Sequence, residues 1–325
     1  MLKIGAVTLG LHLLEVEITT RCNLDCHHCY NRTNKNQDMP LEDVTSLIKF
    51  AEVNGVKKFI VSGGEAVLHA EFRELADFIK ANKPNLKIVI QSNGLIGEID
   101  IEMVKAFDIV HLSFETDDSA VRKTSVKKTI GTAKRFIDAG VYTYFFATIH
   151  PDNIEKIDWM VETANHHGID IGFNLCIHGD KEELRLSTSQ KVRVIKKLHQ
   201  FYLDKRTLRF TSPFTAILKE QRTESYVGIK GGCTAGVAAC VVLPNGDVVP
   251  CPFFRLKAGN IYENNLKKIW FESEIFNVLR NRPSFDEPCG KCEYLSYCGG
   301  CRAGAYYQKN KLNGADVDCI LNTIR

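Results

Sequence analysis

The sequence has no long hydrophobic run, little net charge and no recognisable export signal. No apolar stretch reaches the ~18 residues expected of a transmembrane helix. Residues 1–17 lack the apolar core of a signal peptide and carry Glu15 and Glu17. The formal charge of +3 is too small to indicate binding to nucleic acid or to a membrane surface. We therefore expect neither a membrane nor a nucleic acid among the partners of this chain.

Cysteine is almost absent from the long middle of the chain, although it is abundant overall. Eleven of the twelve cysteines lie in residues 22–29 and 233–319, and only Cys176 lies between them. A secreted disulfide scaffold would be shorter and more evenly cross-linked. Close spacing without an export signal instead indicates metal binding in a reducing compartment, so we expect a cytoplasmic protein.

Strand-like and helix-like runs alternate from residue 13 to about residue 178. Six such units in regular order predict an α/β fold with a parallel sheet and covering helices. We expect this part to form one domain over 1–180, followed by a charged bridging region over 181–228 and a cysteine-rich domain over 229–325. The predicted strands span 13–19, 58–62, 87–91, 109–114, 142–149 and 169–177, and the predicted helices span 41–54, 71–81, 101–107, 127–139, 154–167 and, in the bridging region, 190–203.

Polar residues alternate with apolar ones along three of these strands. Apolar side chains should face the helices, so the polar ones should line the inside of a barrel, near the strand ends where active sites are built. Glu15 and Glu17 are expected to form ion pairs, since buried charges are normally paired. Cys176 is expected to be a small apolar filler, whereas His150 and His178 either contact substrate or lie neutral in the core. The inward-facing polar sets are Glu15, Glu17 and Thr19; His111, Ser113 and Glu115; and Asn174, Cys176 and His178.

Three cysteines with the spacing Cys-x3-Cys-x2-Cys stand in the loop after the first strand, at Cys22, Cys26 and Cys29. Three thiolates can hold a cubane of four irons and leave the fourth iron without a protein ligand. A vacant position distinguishes a catalytic metal site from a closed structural one. A zinc loop or a group of buried thiols is the alternative, although structural zinc needs four ligands and the next cysteine is Cys176.

With this loop followed by Ser62-Gly63-Gly64-Glu65 after the second strand, the chain resembles the radical S-adenosylmethionine (radical SAM) superfamily. The resemblance implies a partial (β/α)6 TIM-like barrel, an open version of the eight-unit barrel. It also implies that the open iron chelates the amino and carboxylate groups of the cofactor. Reductive cleavage of the cofactor then yields methionine and a 5′-deoxyadenosyl radical, which abstracts a substrate hydrogen.

The resemblance also assigns side chains to the cofactor. Gly63 and Gly64 would let the backbone approach a ligand closely, because no Cβ stands in the way, and Glu65 would meet the cofactor's ammonium. The family usually has proline after this glutamate, and Ala66 stands there instead. The other expected contacts are Ser62 in the same turn, Asn93 and Glu115 at the ribose hydroxyls, Arg122 or else Lys123 at the carboxylate, and His28 and Tyr30 beside the adenine.

The chain becomes rich in cysteine again from Cys233 onward. A hairpin is predicted over 241–249, because Asn-Gly at 245–246 supplies a positive-φ turn, and an amphipathic helix over 266–279. Eight cysteines could form two four-thiolate sites, for which zinc competes with iron. The segment resembles the SPASM extension of radical SAM enzymes, including Cys-Gly-Gly-Cys-Arg at 298–302. The resemblance implies one auxiliary 4Fe–4S cluster on Cys233, Cys240, Cys251 and Cys301 and a second on Cys289, Cys292, Cys298 and Cys319.

Together these features predict a radical SAM/SPASM enzyme with three 4Fe–4S clusters. If Cys240 is not a ligand, the first auxiliary cluster has an open iron that could bind substrate, whereas full ligation favours electron transfer. The expected reaction is oxidation or cross-linking of a peptide, with the electron supplied by an external flavodoxin- or ferredoxin-type donor. A small-molecule enzyme of haem or cofactor biosynthesis is the alternative. A non-catalytic electron carrier is disfavoured, because a carrier needs no nucleoside pocket.

Overall fold

The computed structural model describes residues 3–4, 7–8, 10–31, 36–95, 99–177, 181–203, 208–214 and 232–324. One ten-stranded sheet dominates it, in the order β12-β11-β10-β3-β4-β5-β6-β7-β8-β9, beside a two-stranded ribbon of β1 and β2. The strands are β1 Lys3–Ile4, β2 Val7–Thr8, β3 Leu13–Thr19, β4 Lys58–Gly63, β5 Lys87–Ser92, β6 Ile109–Ser113, β7 Tyr142–Ile149, β8 Asp170–Leu175, β9 Leu208–Thr211, β10 Ala239–Val242, β11 Asp247–Val249 and β12 Gly259–Asn260.

Helices follow the central strands, as the alternating pattern predicts. All pairings from β3 through β9 are parallel, so the expected α/β architecture with six strand–helix units is confirmed. None of the helices in the described part of the chain is long and apolar enough to cross a membrane. The helices are α1 Leu41–Val53, α2 Phe72–Asn82, α3 Ile101–Val104, α4 Val126–Asp138, α5 Ile157–His166, α6 Thr188–Leu203, α7 Leu266–Glu272, α8 Glu274–Arg280, α9 Arg302–Lys309 and α10 Leu321–Ile324.

The two faces of β3 behave as the alternation predicts. Leu14, Val16 and Ile18 are fully buried in the main apolar core between sheet and helices. Glu15 and Glu17 point to the other face, where they are also buried. Burying each large aliphatic side chain contributes about 1.5–3 kcal/mol. This apolar face therefore fixes the register of the strand, and with it the start of the cysteine loop that follows.

The sheet extends beyond the predicted six strands at both edges. At one edge β9, which lies in the bridging region, pairs in parallel with β8. At the other, the predicted hairpin is confirmed by the antiparallel pair Val241↔Val249. Its first strand β10 also pairs in parallel with β3, through Cys240↔Leu14. The C-terminal cysteine segment is thus joined to the barrel through a shared sheet.

Three predicted helices differ from those observed. The predicted helix over 266–279 is two helices, because Ser273 is extended (ψ 126°) and separates α7 from α8. The predicted helix over 154–167 begins as a 3-10 turn at Pro151–Lys156, with α5 starting only at Ile157. The helix predicted over 101–107 ends at Val104. Local periodicity predicted these helices but not the breaks in them.

Candidate active site

The cysteine loop is held by backbone contacts between the ends of β3 and β4. The Gly64 N–H donates to the carbonyl of Thr19, and the Glu65 N–H donates to the carbonyl of Arg21, each at 2.7 Å. A Cβ at Gly63 would overlap the carbonyl oxygen of Thr19, and one at Gly64 would overlap that of Arg21. These glycines are therefore required by the neighbouring chain segment that leads into Cys22. Their expected role in letting the backbone approach a ligand stays a prediction.

The three thiols of the loop lie close enough together to affect one another's ionisation. The pKa of Cys26 is raised to about 11, mainly by burial, with the charge of Arg122 opposing the rise and the neighbouring thiols of Cys29 and Cys22 adding to it. Cys22 is exposed, whereas Cys26 and Cys29 are half-buried. Among the described residues, no three His, Cys, Asp or Glu side chains are grouped so as to hold a single metal ion. The predicted trio therefore shares one short loop with one exposed member, but its three side chains are not arranged around a single metal position in this structure.

Two buried groups of opposite charge lie near this loop, Glu65 after the end of β4 and Arg122 in the segment between β6 and α4. Glu65 accepts a hydrogen bond from the Asn93 N–H at 2.7 Å, and the Arg122 guanidinium donates to the Asn93 carbonyl at 3.1 Å. Burial raises the pKa of Glu65 to about 7, with hydrogen bonding and Arg122 opposing the rise. Within the described residues, Glu65 Oε1 and Arg122 Nε are buried without a hydrogen-bond partner. A buried acceptor and donor left unpaired are costly unless a ligand satisfies them.

The side chain of Asn93 is tied to the cysteine loop itself. Its Nδ2 donates to Asn23 Oδ1 at 2.7 Å, one residue after Cys22, and its Oδ1 accepts from the Leu95 N–H at 2.8 Å. These bonds fix the orientation of the amide beside the loop. Asn23 was not singled out from the sequence, although its position between the first two cysteines was a usable signal.

Glu115 is held at the end of β6 by residues from the next strand–helix unit. Its Oε1 accepts from Asn153 Nδ2 at 2.7 Å, and its Oε2 lies 3.5 Å from His150 Nε2. The His150 ring is 1% exposed and stacks on His28 at 6.1 Å between ring centroids. The His28 ring therefore lies next to the site by stacking on the His150 ring. Asn153 contributes a hydrogen bond to Glu115 that the motif-based prediction missed.

Ser62 and Tyr30 make contacts within the protein. The Ser62 hydroxyl donates to Glu15 Oε1 at 2.7 Å, inside the barrel. The Tyr30 ring meets Phe253 edge-to-face at 5.2 Å and lies 5.6 Å from the Arg255 guanidinium. The roles expected for these two side chains at the cofactor stay predictions.

Inside the barrel lies a bidentate ion pair between two residues that are 238 positions apart in the sequence. The Arg255 guanidinium donates to the two carboxylate oxygens of Glu17 at 2.7 and 2.9 Å. The ion pair expected for Glu17 is thus confirmed. Among the residues that the structure describes, Glu15 forms no such pair and accepts from Ser62 instead, and burial raises its pKa to about 7. Arg255 follows Cys251 closely, so this pair connects the auxiliary segment to the barrel.

The C-terminal thiols form two groups. Burial raises the pKa of Cys251 well above its usual value, and the adjacent thiols of Cys233 and Cys301 add to the rise. Cys251 and Cys301 also border one apolar cluster, which contains Phe254. In the second group burial raises the pKa of Cys319, with Cys289 and Cys292 adding to the rise. Burial also raises the pKa of Cys298 to about 12, with Cys319 among its neighbours.

Cys240 is not brought together with the first group. It opposes Leu14 in the sheet and lies with it in the apolar core on the helix-facing side, with no measurable exposure. The charged group that affects its pKa is Arg280, and burial raises that pKa to about 12. Because neighbouring strands place paired residues on the same face, Cys240 points away from the inside of the barrel.

The other candidate residues have simple placements. Cys176 is 2% exposed and packs with Val121 and Leu184, as expected for an apolar filler. His111 is hydrogen-bonded to the Tyr144 hydroxyl within the barrel. His178 lies outside the described residues. Of the histidines proposed as substrate contacts, only His150 can be placed, and it lies beside Glu115.

Two protein families match the chain, one over the N-terminal site and one over part of the C-terminal cysteine region. Residues 16–164 match the Radical SAM superfamily, and residues 233–293 match SPASM, an iron-sulfur cluster-binding domain. The chain belongs to the radical SAM superfamily and is an enzyme with a SPASM region. This assignment supports S-adenosylmethionine and iron–sulfur clusters as its cofactors.

Relatives with assigned names fall into more than one functional group. The AdoMet-dependent heme synthase of Methanosarcina barkeri is 27% identical over 93% of this chain and 94% of that protein. The antilisterial bacteriocin subtilosin biosynthesis protein AlbA of Bacillus subtilis is 26% identical over 90% of this chain and 69% of that protein. The crystal structure of Streptococcus suis SuiB bound to precursor peptide SuiA has a TM-score of 0.78 and 20% identity, over 96% of this chain and 76% of that chain. This structural likeness confirms the partial barrel fold.

Proposed function

We propose that this enzyme binds S-adenosylmethionine at the N-terminal cysteine loop, holds three 4Fe–4S clusters and modifies a peptide. One observation carries the proposal. The three thiols of Cys22, Cys26 and Cys29 lie beside a buried unpaired acceptor on Glu65 and a buried unpaired donor on Arg122. An amino acid head group, with its ammonium and carboxylate, complements this pair.

The residues present fit the cofactors in chemistry and charge. Cys22, Cys26 and Cys29 would hold the first cluster, Glu65 would accept from the ammonium, and Arg122 would donate to the carboxylate. When bound, the reduced cluster and S-adenosylmethionine supply a 5′-deoxyadenosyl radical that abstracts a hydrogen atom. Asn153 keeps Glu115 fixed as an acceptor for the ribose hydroxyls.

The C-terminal thiols would hold the auxiliary clusters. Cys233, Cys251 and Cys301 form a three-thiolate set, since Cys240 faces the opposite side of the sheet. Such a set leaves one iron open to another ligand, whereas Cys289, Cys292, Cys298 and Cys319 can close the second cluster. A substrate radical must lose an electron to give an oxidised or cross-linked product, and these clusters would accept it. A flavodoxin- or ferredoxin-type donor in a reducing cytoplasm would supply the electron to the first cluster.

The substrate is best supported as a peptide, with a small molecule of haem or cofactor biosynthesis as the second candidate. AlbA is named for bacteriocin biosynthesis, and SuiB is seen with a precursor peptide. The second candidate is favoured by the heme synthase relative, which matches 94% of its own length.

Glu65→Gln tests the cofactor site. The amide keeps the size of the side chain but loses the charge that should pair with the ammonium. Loss of a charged hydrogen bond worth about 1.5–3 kcal/mol should weaken S-adenosylmethionine binding about 10- to 100-fold. The matched control is Glu102→Gln, an exposed carboxylate paired with Lys80 and Lys105. Binding by equilibrium dialysis to anaerobic holoenzyme measures both variants, and equal affinity in the two would refute the assignment of Glu65.

The substrate proposal is tested by offering reduced holoenzyme a precursor peptide encoded beside its gene, and separately an iron porphyrin with carboxylate side chains. Mass spectrometry should show loss of two hydrogens from the peptide together with 5′-deoxyadenosine formation. Turnover of the porphyrin alone would establish the second candidate instead. Intact S-adenosylmethionine under strong reductant would overturn both and leave an electron carrier.

A further inference from the structure

A buried aspartate lies between the two groups of C-terminal cysteines. Asp316 is 2% exposed, and its Oδ2 accepts a hydrogen bond from the Cys301 N–H at 2.7 Å. Its own backbone N–H donates to Cys289 Sγ at 3.4 Å. Cys301 belongs to the first group of thiols and Cys289 to the second. One residue therefore touches both groups, through its side chain on one side and its backbone on the other.

The fold of the Cys298–Cys301 turn admits this aspartate. Gly300 has a φ of +64°, and a Cβ there would lie 2.8 Å from the Asp316 Cβ and 2.9 Å from the Arg302 guanidinium. Any side chain at Gly300 would push the aspartate away from the turn. The glycine thus serves a specific close approach, and its N–H also donates to Cys298 Sγ at 3.3 Å.

Burial raises the pKa of Asp316, whereas the Cys301 N–H and two nearby cations oppose that rise. The cations that face it are Lys191 and Arg302, and the neighbouring anion is Asp318. Lys191 Nζ is committed to Asp318 Oδ2 at 2.8 Å, and Arg302 donates to the Gly314 carbonyl at 2.9 Å. The two carboxylate oxygens of Asp316 accept from backbone N–H groups, Oδ2 from Cys301 at 2.7 Å and Oδ1 from Asp318 at 3.1 Å.

We propose that Asp316 is a positioning residue that sets the reduction potentials of both auxiliary clusters, an inference that rests on the clusters of the proposed function. Hydrogen bonds to sulfur and nearby charge are two of the protein's means of setting such potentials. A fixed negative charge beside a cluster disfavours the added electron. Asp316 supplies that charge near both sets and fixes the spacing between them.

Asp316→Asn in anaerobically reconstituted holoenzyme tests the proposal. The variant keeps the backbone N–H to Cys289 and an oxygen acceptor for Cys301 while it removes the charge. We expect wild-type iron content and a positive shift in the midpoint potentials of both auxiliary clusters, measured by redox titration with electron paramagnetic resonance. The cluster of the N-terminal loop should be unshifted. The matched control is Asp108→Asn, whose carboxylate pairs with Lys87 just before β6, and it should shift none of the potentials.

The proposal is refuted if Asp316→Asn keeps its full iron content and the midpoint potentials of the auxiliary clusters do not shift, or if the potential of only one of them shifts. If Asp316→Asn loses iron, Lys191→Gln decides, because Lys191 lies near both Asp316 and Cys301. Removal of this cation should move the midpoint potential of the cluster on Cys301 to a more negative value. An unchanged potential would count against the proposal. If wild-type protein holds only the iron of one cluster, the proposal of auxiliary clusters is refuted, and this inference is refuted with it.

Discussion

The N-terminal and C-terminal cysteine regions differ in exposure and in their surroundings. Cys22 is exposed at the barrel mouth, beside buried polar atoms of Glu65 and Arg122 that lack partners among the described residues. Cys289 and Cys298 are buried, and Cys301 borders an apolar cluster with Phe254. An accessible site with polar groups that lack hydrogen-bond partners is suited to a ligand that binds and dissociates in each turnover. A buried site among apolar side chains is suited to holding an electron, because little reorganisation follows its arrival.

The largest expected effect separates the two regions completely. Cys26→Ala removes one of three thiolates at the loop, and a cluster cannot be held by the remaining two. We expect 5′-deoxyadenosine formation to fall to background while the iron of the auxiliary clusters stays. Iron analysis and chromatography of the reduced reaction measure both quantities. Retained turnover would contradict the role of the loop.

The second test compares two cysteines within the C-terminal region. Cys251→Ala should lose the iron of one auxiliary cluster but still cleave S-adenosylmethionine. Cys240→Ala should keep all the iron, since its side chain lies on the opposite face of the sheet, at a cost of about 1 kcal/mol for the small cavity. Iron content and electron paramagnetic resonance spectra distinguish the variants. Loss of a cluster in Cys240→Ala would restore the four-thiolate prediction.

The third test breaks the connection between the regions. Arg255→Met leaves the Glu17 carboxylate, which is fully buried, without its bidentate partner. Removing one partner of a buried ion pair costs about 3–5 kcal/mol. The holoenzyme should therefore unfold at a lower denaturant midpoint, and Glu17→Gln added to Arg255→Met should recover part of the loss. An unchanged midpoint in the single variant would show that the pair contributes nothing.

The smallest expected effect concerns Glu15 and depends on pH. Burial raises its pKa from 4.5 to about 7 in the folded state, so folding favours the protonated acid. Stability from this group is complete below pH 4.5 and is lost as the pH rises through about 7. Glu15→Gln, which can still accept from Ser62, should match wild type at pH 4.5 and exceed it by up to about 3 kcal/mol at pH 8. Denaturation at both pH values measures this, with the exposed Glu162→Gln as control, and no pH-dependent gain would contradict it.

Local pattern predicted the part of the fold that has local causes. Period-two alternation predicted which face of β3 is polar, and Asn-Gly predicted the hairpin that follows β10. β9 was missed, because four residues in a charged region carry too little pattern. The pairing of β10 with β3 was also missed, since it depends on contacts across more than two hundred residues that no local signal records.

The candidate site was predictable in its residue types but less so in its geometry. Motifs identified Cys22, Glu65 and Asn93, which the structure does place around one loop. They did not identify Arg255 or Asp316, because each acts through a partner distant in sequence. Spacing likewise could not show that Cys240 faces the helices, since the direction of a side chain depends on strand register.

The parallel pairing of β10 with β3 has a consequence for any attempt to separate the two regions. A chain cut before residue 229 would leave β3 with a bare row of N–H and C=O groups along one side. Such an edge is a template for pairing with another molecule, so the shortened protein should aggregate. The auxiliary segment therefore also protects the barrel from self-association, and an exchange of this segment between enzymes would have to preserve the strand that covers that edge.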